Sequence, residues 1–292
     1  MRSIFRGSVV AIVTPFKDDG AVDFEALAGL VEWHIASGTN AILPCGTTGE
    51  SPTLTHEEHE QVVGEVVKMV NKRVPVLAGA GSNCTAESLR LVRHAERVGA
   101  DGVLVITPYY NKPTQAGLVA HYRAVAAATA LPVVIYNVPG RTGVSILPET
   151  VAELAEVKNI VGVKEASGSV DNVSAILTSC NVDVLSGDDS LTLPIMAVGG
   201  CGVISVAANV VPQKMAALTR AVAKGDLATA ERLHRQLYPL CRALFMETNP
   251  GPVKAALAMM GKIRENYRLP LVPMQPGNRA KLQAVLEAVL AE

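Results

Sequence analysis

Ile160-Val161-Gly162-Val163-Lys164-Glu165 is an apolar run of mainly β-branched residues that ends abruptly in charge. Branching at Cβ suits the pleated surface of a strand. A run this short, apolar on both faces, fits a parallel strand covered on both sides. Similar runs fall at 8–14, 40–43, 74–80, 102–106, 132–136, 182–186 and 202–206. The segments between them carry apolar residues at helical spacing, such as Phe24, Leu27, Leu30, Val31 and Ile35, or Val62, Val63, Val66, Val67 and Val70. Thr55-His56-Glu57-Glu58 reads as a capping box that opens the second of these helices. Gly38 and Gly99 stand where helices should stop. Strands and helices alternating without a break in composition predict an α/β fold, a closed (β/α)8 TIM barrel over residues 1–224. Helical runs at 227–245, 252–260 and 278–290 exceed what one barrel needs, and predict a C-terminal helical appendage over 225–292.

Bulk properties narrow the function. The chain has 292 residues, enough for one large barrel with a substantial core. Lys and Arg total 26 against 27 for Asp and Glu, with no charged block, which argues against nucleic acid or a membrane surface as the main partner. Cys45, Cys84, Cys180, Cys201 and Cys241 are scattered without a C-x-x-C, as expected of reduced thiols in a cytoplasmic protein. Arg2 and Arg6 precede an apolar run from Val9 to Val13 that is too short for a signal peptide and reads as the first strand.

Barrel enzymes work at the C-terminal ends of their strands, and here those ends are polar. Lys164 closes the sixth strand, where partial desolvation would disfavour its cation and make a nucleophile towards a carbonyl. The plainer reading is a lysine marking the strand's exit to solvent, paired with Glu165. Gly46-Thr47-Thr48-Gly49-Glu50-Ser51 follows the second strand and offers glycines and hydroxyls to an anion, though such clusters usually mean a tight turn. Tyr136 ends the strand next to the lysine's, where a phenol can relay protons or simply pack on its neighbours. Arg141, in the constrained loop Val138-Pro139-Gly140-Arg141-Thr142-Gly143, suits a carboxylate or solvent. Tyr109-Tyr110 suggests stacking or an interface in a chain with 4% aromatics. His56 and His59 lack a third ligand, so surface histidines are the default over zinc. Asp188-Asp189 fits a helix cap as well as a site.

These stretches, together with Thr107-Pro108-Tyr109-Tyr110-Asn111 and Gly162-Val163-Lys164-Glu165-Ala166, resemble the dihydrodipicolinate synthase family, within the wider N-acetylneuraminate lyase and class I aldolase superfamily. The resemblance runs from Gly7 to Asn249-Pro250 and Leu269-Pro270, essentially the whole chain. It implies a condensation of pyruvate with L-aspartate 4-semialdehyde to 4-hydroxy-tetrahydrodipicolinate, the first committed step towards diaminopimelate and lysine. Lys164 would form the imine with pyruvate. Tyr136, Thr47 and Tyr110 would relay protons, Tyr110 from a neighbouring subunit. Thr48 would hold the pyruvate carboxylate and Arg141 the semialdehyde carboxylate, with backbone contacts from Gly187 and Ile204. The resemblance further implies no metal or organic cofactor, and a homotetramer built as a dimer of dimers, or a homodimer. Feedback inhibition by L-lysine would fall to Ser51, His56, His59, Asn83, Glu87 and Tyr109, with Pro52 departing from the alanine common at its position.

Three rival readings remain at this point. A sibling enzyme could use the same imine with a sugar aldehyde, although such enzymes tend to vary at Arg141. A barrel could carry pyridoxal phosphate on Lys164, its phosphate held near Gly199-Gly200 and Gly202. The third is a catalytically silent binding protein.

Overall fold

The computed structural model describes residues 4–291; residues 1–3, Arg2 among them, and residue 292 lie outside that description. Eight strands form at the eight expected places: β1 (Gly7–Ala11), β2 (Ala41–Leu43), β3 (Leu77–Gly79), β4 (Gly102–Ile106), β5 (Val133–Asn137), β6 (Ile160–Glu165), β7 (Asp183–Ser186) and β8 (Gly202–Ser205). All paired strands are parallel, in the order β2-β1-β8-β7-β6-β5-β4-β3. The ring closes between β2 and β3 through a bridge of Ile42 with Val76, the bond from Ile42 N to Pro75 O (3.0 Å) and that from Gly79 N to Pro44 O (3.0 Å). This is the TIM barrel that the strand count predicts.

Between the strands run α1 (Phe24–Ala36), α2 (His56–Val70), α3 (Thr85–Arg97), α4 (Gln115–Ala127), the single turn α5 (Pro139–Thr142), α6 (Pro148–Ala155), α7 (Val170–Ser179) and α8 (Thr192–Ala197). The capping box is present in full: Glu58 N donates to Thr55 Oγ1 (3.2 Å) and Thr55 N to Glu58 Oε2 (2.9 Å). Gly38 and Gly99 follow their helices at φ +80° and +85°, the left-handed region in which a side chain is penalised. After β8 come α9 (Pro212–Ala223), α10 (Leu227–Ala243), α11 (Gly251–Met259) and α12 (Pro276–Ala291). Helix α10 packs on α9 and α12, and α11 reaches the turn Ala207–Asn209 beyond β8. None of the described helices is long and apolar enough to cross a membrane.

Several strands are shorter than their apolar runs. At the end of β1, Val13 N donates to the side-chain Oδ1 of Asn209 (3.1 Å), so a side chain replaces the sheet partner and the ladder stops. Each strand divides its residues between two cores. Val9, Ala11, Ala41, Leu43, Leu77, Leu104, Val134, Val161, Leu185 and Ile204 fill the barrel interior, while Val10, Ile42, Val103, Ile135, Val163 and Val203 meet the helices.

Three buried histidines, His34, His59 and His121, make the fold sensitive to acid, burial holding each below its ordinary range. Burial, with the Lys262 charge, holds His34 down at about 3, and burial, with the His94 charge, holds His59 at about 4. An unfolded chain protonates all three near 6.5. Their depressed folded values leave stability complete above about pH 6.5 and erode it as the pH falls towards 3–4. Thermal melts across this range should show Tm falling with pH, with a shallower slope in His34→Gln. An unchanged slope would clear His34.

Candidate active site

Lys164 is buried at 6% exposure, and its Nζ lies 4.1 Å from the ring centroid of Tyr136. The two residues are direct partners in the parallel register of β5 and β6. An ammonium over a phenol face gains from the ring quadrupole, and the phenol is the nearest proton-bearing side chain of the neighbouring strand. The lysine is therefore not an exit marker, and Glu165 is not its partner. Glu165 points the opposite way, towards α7, where its carboxylate accepts bonds from Asn137 Nδ2 (2.9 and 3.2 Å), Asn172 Nδ2 (2.8 Å) and Ser167 N (2.7 Å).

The direction of Lys164 depends on an irregularity in β6. Ile160 packs with the helices, and counting by twos from it would send Lys164 to the helices as well. The register shifts between Val133 and Val134, pairing Val133 with Ile160 and Val134 with Gly162. Val161 is thus an extra residue, and it faces the interior. This bulge reverses the alternation, so Val163 meets the helices and Lys164 the interior. Gly187, at the end of β7, leaves the room the lysine needs. A Cβ there would stand 2.5 Å from Ala166 Cβ and 3.2 Å from Lys164 Cε.

A cavity of about 430 Å³ opens above these residues. Lys164, Tyr136, Thr47 and Arg141 line it together with Ser51, Pro52, His56, His59, Glu87 and Tyr109. The expected substrate and effector groups therefore share one continuous space in a single chain. Arg141 sits on the turn α5, not in an open loop, and its Nη2 donates to Asn249 O (3.2 Å). His59 is buried instead of lying on the surface, and its Nδ1 has no partner. His56 Nε2 lies 3.8 Å from Glu87 Oε1, and Glu87 Oε2 accepts a bond from Ser82 Oγ (2.5 Å). No group of three potential metal ligands occurs among the described residues.

The other expected residues stand off the cavity wall. Thr48 is buried behind it, its Oγ1 accepting from Asn249 Nδ2 (3.1 Å). Ile204 is in the interior core, and Asn83 O accepts from Asn111 Nδ2 (2.9 Å). Tyr110 is 89% exposed at φ +70°, so its ring stands clear of its own chain's cavity. Asp189 does act as a cap, though not of the next helix. Buried, it binds Ser205 Oγ (2.5 Å), Val206 N (3.0 Å) and Ala207 N (2.9 Å) at the turn after β8. Burial raises the Asp188 carboxyl while the Lys164 charge opposes that rise. Sequence reasoning missed Asn249, which touches both Thr48 and Arg141. It also missed the buried pair of Glu50 with Lys254 beneath the Thr47-Thr48 loop.

A model of the dihydrodipicolinate synthetase family matches residues 4–289. The chain belongs to that family. A 4-hydroxy-tetrahydrodipicolinate synthase of Geobacter sulfurreducens is 59% identical over 286 residues, covering 97% of this chain and 98% of that protein. The crystal structure of dihydrodipicolinate synthase from Aquifex aeolicus superposes with a TM-score of 0.95 at 52% identity, covering 97% of each chain. The lysine-bound enzyme of Cyanidioschyzon merolae does so with a TM-score of 0.96 at 38% identity, over the full length of both. The family's barrel is the one described above. Gly199 and Gly200 precede β8, at the opposite end of the barrel from Lys164, which removes the basis for a phosphate site there.

Gly187→Ala tests how tightly the lysine is placed. The added methyl must push the end of β7 off Ala166 and crowd Lys164 Cε, and the resulting shift should cut borohydride-trapped adduct formation by roughly 10- to 100-fold. Trapping at the wild-type rate would show that the amine tolerates the crowding.

Proposed function

We infer that this chain condenses pyruvate with L-aspartate 4-semialdehyde to 4-hydroxy-tetrahydrodipicolinate, as a lyase of the class I aldolase type in the biosynthesis of diaminopimelate and lysine. The observation that carries this reading is the inward Lys164 amine against the Tyr136 ring, in a cavity that also holds Thr47 and Arg141. Lys164 Nζ attacks the pyruvate ketone carbon, and the carbinolamine loses water to give the imine. Proton loss from the methyl group gives the enamine, which attacks the aldehyde carbon of the second substrate. The semialdehyde's own amine then closes the ring on the imine carbon and releases Lys164.

Each transfer needs a proton moved at short range, and Tyr136 with Thr47 is suited to move it on this chain. Tyr110 completes the relay from a neighbouring copy in a homodimer or a dimer of dimers, a role its exposed ring and left-handed backbone support. Thr48 holds the pyruvate carboxylate, and Gly187 and Ile204 supply backbone contacts to the substrate. Arg141 at the mouth holds the semialdehyde carboxylate through charge-assisted bonds. A charged partner for a short carboxylate favours this reading over a sugar aldehyde. The work belongs in the cytoplasm. The barrel at 1–224 carries the chemistry, and the segment at 225–292 supports it.

L-Lysine is the proposed effector, bound by Ser51, His56, His59, Asn83, Glu87 and Tyr109. Glu87 offers a carboxylate to its ammonium, and the shared cavity lets an occupant there reach the substrate pocket. Initial rates should fall with added L-lysine; a flat curve into the millimolar range would dispose of this part.

Borohydride reduction in the presence of pyruvate, followed by peptide mass mapping, should put the adduct on Lys164. An adduct on any other residue would overturn the mechanism.

A further inference from the structure

The Lys254 ammonium and the Glu50 carboxylate are both fully buried, Nζ to Oε1 at 2.5 Å, and they lie 204 residues apart in the chain. Burying two charges costs much of what their attraction returns, so such a pair is weak evidence for stability as such. Its surroundings suggest a purpose. Glu50 closes the loop that begins Gly46-Thr47-Thr48, and it holds φ +54° without being glycine. A non-glycine residue keeps that strained conformation only where several contacts fix it. Glu50 N donates to Thr47 O (3.1 Å), Glu50 Oε1 accepts from Lys254 and Oε2 from Arg268 N (3.4 Å). Thr14 Oγ1 donates to Gly49 O (2.7 Å) from the other side.

Lys254 has little freedom to move. Its Nζ lies 4.2 Å from the Phe16 ring centroid and 5.5 Å from that of Tyr267. It rides on α11, which begins two residues after Asn249, and Asn249 bonds Thr48 Oγ1. Two side chains from one short segment thus grip the same loop, one at Thr48 and one at Glu50.

We propose that Lys254 is a positioning residue for the pyruvate-carboxylate loop, acting through Glu50 to fix Thr47 on the cavity wall and Thr48 directly behind it. The inference rests on the pyruvate reading above. It differs from a purely structural role in being selective, because Arg141 is tied to Asn249 and not to Lys254. Loss of the pair should weaken pyruvate and spare the semialdehyde.

Lys254→Met keeps the apolar stem but leaves Glu50 buried and unpaired. Glu50→Gln/Lys254→Met removes both charges, so a folded protein is available even where the single variant fails to fold. The pyruvate concentration that half-saturates borohydride trapping at Lys164 should rise at least tenfold in the double variant, about 1.4 kcal/mol. The KM for the semialdehyde should stay within about twofold. Wild-type half-saturation in the folded double variant would overturn the proposal, as would equal weakening of both substrates. Absence of pyruvate trapping in the wild-type protein would instead defeat the functional reading on which the proposal stands.

Discussion

The barrel closes at a seam of few backbone bonds, and the loop that carries Thr47 and Thr48 leaves the sheet at that seam. Pro75 has no amide to give and contributes only its carbonyl to Ile42, while Pro44 contributes only its carbonyl to Gly79. The chain therefore turns away at Cys45, which takes φ +54°, and crosses close above β3. A Cβ on Gly79 would stand 2.1 Å from Cys45 O, so the crossing requires glycine beneath it. Elsewhere around the ring the strands are joined by longer ladders, broken only by the bulge in β6. At the seam the structure has room for the loop that brings Thr47 to the cavity.

Lys164 and Tyr136 are brought together by different means. They are register partners on adjacent strands, so the sheet itself fixes their separation. The bulge at Val161 decides which side they share. A regular β6 would set the amine among the helices, and the cavity would lose it. Gly187 then acts by omission, since any side chain there would clash with Ala166 and crowd the lysine's Cε.

Much of this was legible in the sequence because strand ends announce themselves. An apolar run broken by Lys164, a run ending at Tyr136 and a Gly-Thr-Thr-Gly turn each signal position and chemistry together. Glu165 was misjudged because a charge after a strand ordinarily means solvent, whereas Asn137 and Asn172 bury it in a hydrogen-bonded pocket. His59 was misjudged because its residue type suggests the surface, although its spacing puts it on the stripe of Val62, Val63, Val66 and Val70 that α2 buries. Glu50, Asn249 and Lys254 stayed silent for a different reason. Their meaning lies wholly in who meets whom across two hundred residues, and neither periodicity nor local motif encodes that. The bulge was equally unreadable, since Ile160-Val161-Gly162 looks the same with or without an extra residue in the count.

The grip of the C-terminal segment on the second loop also sets an order for assembling the site. The Arg268 guanidinium ties Glu58 to the backbone at Gly20 and Thr53, adding to the contacts that Asn249 and Lys254 make with the same region. A chain emerging from the ribosome presents its first strands early and can pair them as they appear. Its loop at 46–51 nevertheless waits for partners that lie 201 and 204 residues further along the chain. The first strands can therefore pair well before that loop has the side chains that hold it in place.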